Sequence, residues 1–99
     1  MIYQLIISPE AELDIQDGFE WYEQRTSGLG SEFVRAVDSS LALIGRNPLA
    51  YPQVYRQVRR VLIRRFPYGV MYIVEENVIT IIACFHVKRD PKQWQNRNI

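Results

Sequence analysis

The sequence is short of the residues that build covalent and metal frameworks. Its 99 residues include one cysteine, Cys84, and one histidine, His86. A lone cysteine excludes an internal disulfide and a cysteine-rich metal site, so a reducing compartment is the simpler setting. No apolar run approaches the roughly 20 residues of a membrane span, and Met1-Ile2-Tyr3-Gln4 lacks a basic leader segment. The expectation is a cytoplasmic protein that makes no membrane contact. Lysine is absent before Lys88. Ser-His-Asp order, a phosphate-cradling glycine motif and metal-ligand spacing are absent too, which removes the commonest signatures of hydrolases and nucleotide enzymes.

What remains has an ordinary soluble composition, 47% hydrophobic, 12% aromatic and 23% charged. A chain of this length buries roughly 60–68% of its unfolded surface, enough for one core and one domain over residues 1–99. The net charge of +1 conceals a division. Residues 1–38 hold eight acids against Arg25 and Arg35, while residues 39–99 hold ten bases against Glu75, Glu76 and Asp90. Clustered Lys and Arg attract polyanions whatever the total charge, so the second half is suited to an acidic or phosphate-bearing partner. Mutual attraction of the two halves within one fold is the alternative.

Residues 2–7 read as a strand rich in β-branched and aromatic residues. Ser8 then suits an N-cap, Pro9 the first helical position, and Glu10 and Glu12 the positive end of the helix dipole. Ala11, Ile15, Phe19 and Tyr22 fall on one helical stripe, and Gly18 is expected to admit another backbone. Turn residues at 25–30 end this helix. A second stripe at Phe33, Val37, Leu41 and Ile44 predicts a partner helix that stops near Asn47-Pro48. Residues 48–57 read as an irregular connection. Strands are predicted at 58–66, 68–75 and 78–86, joined by short connections as an antiparallel meander. Asp90-Pro91-Lys92-Gln93 predicts a last helical turn carrying Trp94. The fold class is therefore α+β: an N-terminal strand, then a two-helix hairpin packed on one face of a small antiparallel sheet that ends in a three-stranded meander. The other face is left available, and the neighbour of the first strand is left open.

The densest chemical signal is Arg59, Arg60, Arg64 and Arg65, with Arg56 just before them. In an uninterrupted strand Arg60 and Arg64 share one face and Arg59 and Arg65 the other, so at least one pair should meet a partner. Two readings stand: solvated charges paired with the acidic first helix, or a phosphate- or carboxylate-binding face beside the stacking surfaces of Tyr68 and Tyr72. His86 is placed at a strand end, as a base near neutral pH or as a histidine bonded to backbone or Asp90. Lys88 and Arg89 are phosphate ligands or ordinary surface charges. Cys84, in an apolar run, reads as core.

An ordered set of residues then becomes informative. It comprises Ser8-Pro9-Glu10-Ala11 with Asp14-Ile15, Trp21-Tyr22-Glu23, and Gly28-Leu29-Gly30 before Phe33. It continues through Asn47-Pro48, Tyr51-Pro52, Arg64-Arg65-Phe66-Pro67-Tyr68 and Tyr72, and closes with His86-Val87-Lys88-Arg89-Asp90-Pro91, Trp94 and Arg97. The set resembles the RelE/ParE superfamily of toxins from bacterial type II toxin–antitoxin modules, across nearly the whole chain. That resemblance implies a growth-inhibiting toxin held by a cognate antitoxin whose largely unfolded C-terminal segment wraps it. RelE-like members cut messenger RNA on the ribosome with basic sheet residues and often a C-terminal tyrosine. ParE-like members poison DNA gyrase. Here the tail Trp94-Gln95-Asn96-Arg97-Asn98-Ile99 has no tyrosine, which points to the ParE side.

Three functions follow from the resemblance. The first is a ParE-like gyrase poison of the plasmid-stabilising kind. The second is a ribosome-dependent endonuclease in which Arg64, Arg65 and Arg89 hold phosphates and His86 assists proton transfer. The third is an inactive module that only binds its antitoxin. For all three the expected partner-binding residues are Arg59, Arg60, Arg64, Arg65, Tyr68, Lys88 and Arg89, and no metal or organic cofactor is implied.

Overall fold

The computed structural model describes residues 2–97. Strand β1 (Gln4–Ile7) runs into helix α1 (Pro9–Arg25) through Ser8, whose hydroxyl accepts from the Ala11 amide at 3.1 Å, with Pro9 at the helix start. Helix α2 (Leu29–Arg46) begins differently. Gly28, at φ 89°, has the left-handed backbone that this tight reversal requires and no side chain to cap it. Glu23 of α1 supplies the cap instead: its carboxylate accepts from the amides of Gly28 and Gly30, each at 2.9 Å. The close backbone approach expected at Gly18 occurs at Gly30, where a Cβ would lie 2.6 Å from the Phe19 carbonyl oxygen. Gly18 makes room for a ring, since a Cβ there would lie 2.6 Å from Phe33.

The rest of the chain forms β2 (Gln53–Tyr55), β3 (Val58–Leu62), β4 (Tyr68–Glu75), β5 (Val78–His86) and a short helix α3 (Lys92–Gln95). The five strands make one sheet in the order β1-β5-β4-β3-β2. The meander is antiparallel as expected, while β1 joins its far edge parallel to β5, with Gln4 opposite Val78. The sheet is therefore mixed. Two local differences from the sequence reading matter for function. Residues 53–55, within the stretch read as irregular, pair with β3 as an edge strand. The strand expected over 58–66 stops at Leu62, because Arg65 sits at φ 73° and Pro67 cannot donate to a ladder. Alternation consequently ends before Arg64.

The helical hairpin covers one face of the sheet, where Phe33, Val37 and Ile44 meet Val61, Val70, Tyr72 and Ile79. The opposite face is partly covered as well. Trp94 of α3 is buried there with Val58, Met71 and Phe85, its ring perpendicular to Tyr55 at 5.8 Å. A bulge lets β5 serve both layers: Met71 faces Ala83 and Tyr72 faces Ile81, so Ile82 has no partner and the alternation shifts by one. Ile81 and Cys84 then point to the helices, and Ile82, Ala83 and Phe85 to Trp94.

The edge of β5 is completed by side chains. The register of β1 runs only to Ile81. Beyond it, Asp14 of α1 accepts from the Cys84 amide at 3.0 Å, and Arg97 donates to the Ile82 carbonyl at 2.7 Å. Arg97 also grips Asp14 through both guanidinium nitrogens, at 2.7 and 2.9 Å. Helix, sheet edge and chain end are thus fastened at one point.

Burial leaves two acidic groups neutral inside this core. It pushes the Cys84 thiol up to about 12 and, by the same cause, the Tyr72 phenol up to about 12; the latter also donates to the Pro48 carbonyl. Both values are raised, so the unfolded chain loses these protons first. Stability is expected to be intact below about pH 9 and to fall as pH rises toward about 12. Urea unfolding across that range would check this, and Cys84→Ala should make the alkaline decline shallower. A thiol reagent should label Cys84 only on unfolding; rapid labelling of the folded protein would contradict the burial argument.

Candidate functional site

The arginine-rich segment does not make one surface. Arg59 turns back on the preceding loop, donating to the carbonyls of Tyr51 at 2.6 Å and Leu49 at 3.3 Å. It acts as a stitch. Arg60 lies on the Trp94 side, its stem over Gly69, where a Cβ would be 2.9 Å from the arginine Cδ. Glycine at 69 is what lets that arginine lie flat against the sheet. With Met71, Phe85, Arg89 and Trp94 it borders a small hollow of about 120 Å³.

Arg64 and Arg65 follow the end of β3 and flank a groove of about 310 Å³ against α2. The groove has the exposed leucines Leu43 and Leu62, with Arg35 and Glu32 on its rim. Arg65 pairs with Glu32 at 2.7 Å, so the partner is the second helix and not the first. Both side chains are substantially exposed, and a pair of that kind contributes at most about 1 kcal/mol. A partner can therefore separate it at little cost.

Tyr68, His86, Lys88 and Arg89 gather elsewhere, at the end of the sheet. Together with Trp21, Tyr22 and Pro67 they line a cleft of about 560 Å³. Register places Tyr68 opposite His86, and their rings meet edge to face at 5.4 Å. His86 Nδ1 accepts from the Lys88 amide at 3.1 Å, so the neutral ring carries its proton on Nε2 and presents a donor. Burial raises the phenols of Tyr22 and Tyr68, which stay protonated at neutral pH. Arg89 borders both this cleft and the hollow at Trp94; it bonds Gln93 at 2.9 Å and stacks over Phe85 at 4.4 Å, so its guanidinium is held toward the Trp94 face. Trp21 is the member that stripe analysis passed over. It lies off the apolar stripe of α1 and is 48% exposed; a tryptophan off that stripe, beside Glu20 and Glu23, is the signal the sequence carries.

Among the described residues no group of histidine, cysteine and carboxylate side chains could hold a metal ion, and no helix is long and apolar enough to cross a membrane.

An α+β layer of this kind, with a helical hairpin on a small sheet, is the architecture of the RelE/ParE toxins. The chain superposes on a structure of a chromosomal ParDE toxin–antitoxin system from P. aeruginosa with a TM-score of 0.66. The identity is 17%, covering 88% of this chain and 98% of that one. It superposes on an arginine-substituted variant of the E. coli toxin RelE in the free state with a TM-score of 0.61, at 12% identity and over 100% of both chains. No curated protein sequence matches. Residues 5–91 match the family described as ParE toxin of the type II toxin–antitoxin system, parDE, and the chain belongs to that family. It is a toxin-family protein of the ParE-like branch, and that membership implies a cognate antitoxin.

Proposed function

We propose that this toxin arrests growth in the cytoplasm by poisoning DNA gyrase, without cutting nucleic acid itself, and that an acidic antitoxin neutralises it. The observation that carries the reading is the separation of the basic residues. Phosphodiester cleavage needs phosphate ligands and a proton-transfer group within hydrogen-bond reach of one phosphate. Arg64 and Arg65 border the α2 groove, whereas His86 and Arg89 border the cleft at the sheet end. The four residues offered for the nuclease share neither. Family membership favours the same side.

Purified toxin added to gyrase with relaxed plasmid is expected to block supercoiling and to accumulate cleaved DNA. Unaffected supercoiling would sink the gyrase reading. Translation-dependent transcript cleavage on induction would select the nuclease, and growth unaffected by soluble toxin would select the inactive module.

For neutralisation the α2 groove has the right pattern: Leu43 and Leu62 offer apolar contact, with Arg35, Arg64 and Arg65 around them. An acidic segment that orders on binding sacrifices roughly 2–5 kcal/mol of the gross gain, so the charged contacts matter. Arg64→Glu with Arg65→Glu should raise the antitoxin Kd by about tenfold or more, equivalent to about 1.4 kcal/mol. An unchanged Kd would remove this groove from the interface.

A further inference from the structure

The cleft at the end of the sheet is used by neither the gyrase reading nor the antitoxin groove at α2, and its chemistry is specific. We propose that it binds a nucleoside phosphate, either free or as one unit of a single strand, with the base against the aromatic side chains and the phosphate at Lys88, Arg89 and His86. Three observations carry this. First, the polar side-chain atoms in the lining are donors: the phenols of Tyr22 and Tyr68, Nε2 of His86 in its neutral form and the ammonium of Lys88, with the positive charge of Arg89, itself bonded to Gln93, beside them. No carboxylate lines it, and Asp17, whose charge acts on Tyr68, is exposed on α1 outside the lining. An anion is the ligand that satisfies such a set without leaving a group unmatched.

Second, the apolar part consists mainly of rings. Trp21 is half exposed although it is a large aromatic, and Arg25 lies 3.6 Å over its ring, so one side of the indole is already backed by a cation. Planes of this kind suit a flat, π-bearing group, because base stacking on aromatic side chains tolerates every base. A carboxylate on a flexible peptide would use the donors and leave the ring faces wet. Third, the space of about 560 Å³ falls within the roughly 300–1,000 Å³ of small-ligand sites.

The test is an amide NMR titration of the isotope-labelled full chain with adenosine monophosphate, a short oligothymidylate, inorganic phosphate and a glutamate-rich peptide. Saturable shifts at residues 21, 22, 68, 86, 88 and 89 with the first two ligands are expected. A Kd raised at least tenfold by Lys88→Glu with Arg89→Glu, and also raised by Trp21→Ala, completes the expected result. These side chains lie at the surface or the mouth, and Lys88→Glu alone, which keeps the backbone bond to His86, serves as the milder variant. Equal affinity for the mononucleotide and the oligomer identifies a free nucleotide. Tighter oligomer binding that weakens steeply with salt identifies a strand. The proposal is overturned if neither nucleotide shifts these amides, if inorganic phosphate binds as well as the mononucleotide, or if only the acidic peptide binds. Gyrase inhibition plays no part in the readout.

Discussion

Asp14→Ala is expected to lower the unfolding free energy by about 2 kcal/mol, below the roughly 3–5 kcal/mol for breaking a fully buried ion pair, because this pair is only part-buried. The argument rests on what the substitution strands. The Asp14 and Arg97 side chains are only 10% and 18% exposed, and Arg97 stays ionised without its partner, because a guanidinium does not deprotonate in proteins. Without the carboxylate that charge keeps one partner, the Ile82 carbonyl, and the Cys84 amide loses its acceptor at the edge of β5. An uncompensated charge and an unmatched edge donor then act together. Arg97→Ala should cost less, because the Asp14 carboxylate keeps the Cys84 amide. Urea unfolding of the two single variants and the double variant checks this. The double variant should be destabilised by less than the sum of the singles, and a strictly additive cycle would mean the pair is not coupled. Loss of far-face packing by Trp94 in Asp14→Ala would show that the pair holds the chain end in place.

Much of this architecture was legible because it depends on near neighbours in sequence. Ser8-Pro9-Glu10 acts as the cap that its residue types suggest, the two helical stripes became the hairpin core, and β4 and β5 run over the residues that their apolar content marks. Family resemblance was legible for the same reason, as an ordered set of short motifs. What escaped depends on long-range geometry. Nothing in residues 2–7 says that their partner is β5 and not the nearer meander strands, since a parallel pairing is settled by how the hairpin packs. The Asp14–Arg97 clasp joins residues 83 apart, and neither residue type announces the other.

The basic segment shows the same limit in the functional residues. Alternation predicts faces only while the strand continues, and the turn at Arg65 ends it. Arg59, Arg60 and Arg64 with Arg65 accordingly go to three places: a loop, the Trp94 face and the α2 groove. Tyr68, His86, Lys88 and Arg89 do converge, and Trp21 and Tyr22 complete their cleft from a helix that sequence patterning assigned to packing.

Phe33→Ala is expected to be at least as severe, at about 3–5 kcal/mol. Phe33 is fully buried, and its ring lies 5.3 Å from Tyr22, 5.4 Å from Phe66 and 4.9 Å from Tyr68. Removing it costs the transfer energy of a large aromatic and leaves a hollow that its ring neighbours, anchored on α1, β4 and the loop before β4, can close only in part. Gly18 makes the mechanism testable. A methyl added there in the intact protein would press on the Phe33 ring at 2.6 Å, and such overpacking typically costs about 1–3 kcal/mol. In the Phe33→Ala background the same methyl has space to enter and replaces a glycine inside a helix, worth roughly 0.8–1 kcal/mol in propensity. Gly18→Ala should therefore change sign, destabilising alone and stabilising beside Phe33→Ala, as read by paired urea unfolding curves. Equal effects in both backgrounds would mean that glycine at 18 serves something other than the ring. Tyr22 and Tyr68 rest on Phe33 and also line the cleft, so Phe33→Ala should loosen the cleft without touching its rim, whereas Phe33→Leu should retain more of both stability and cleft order.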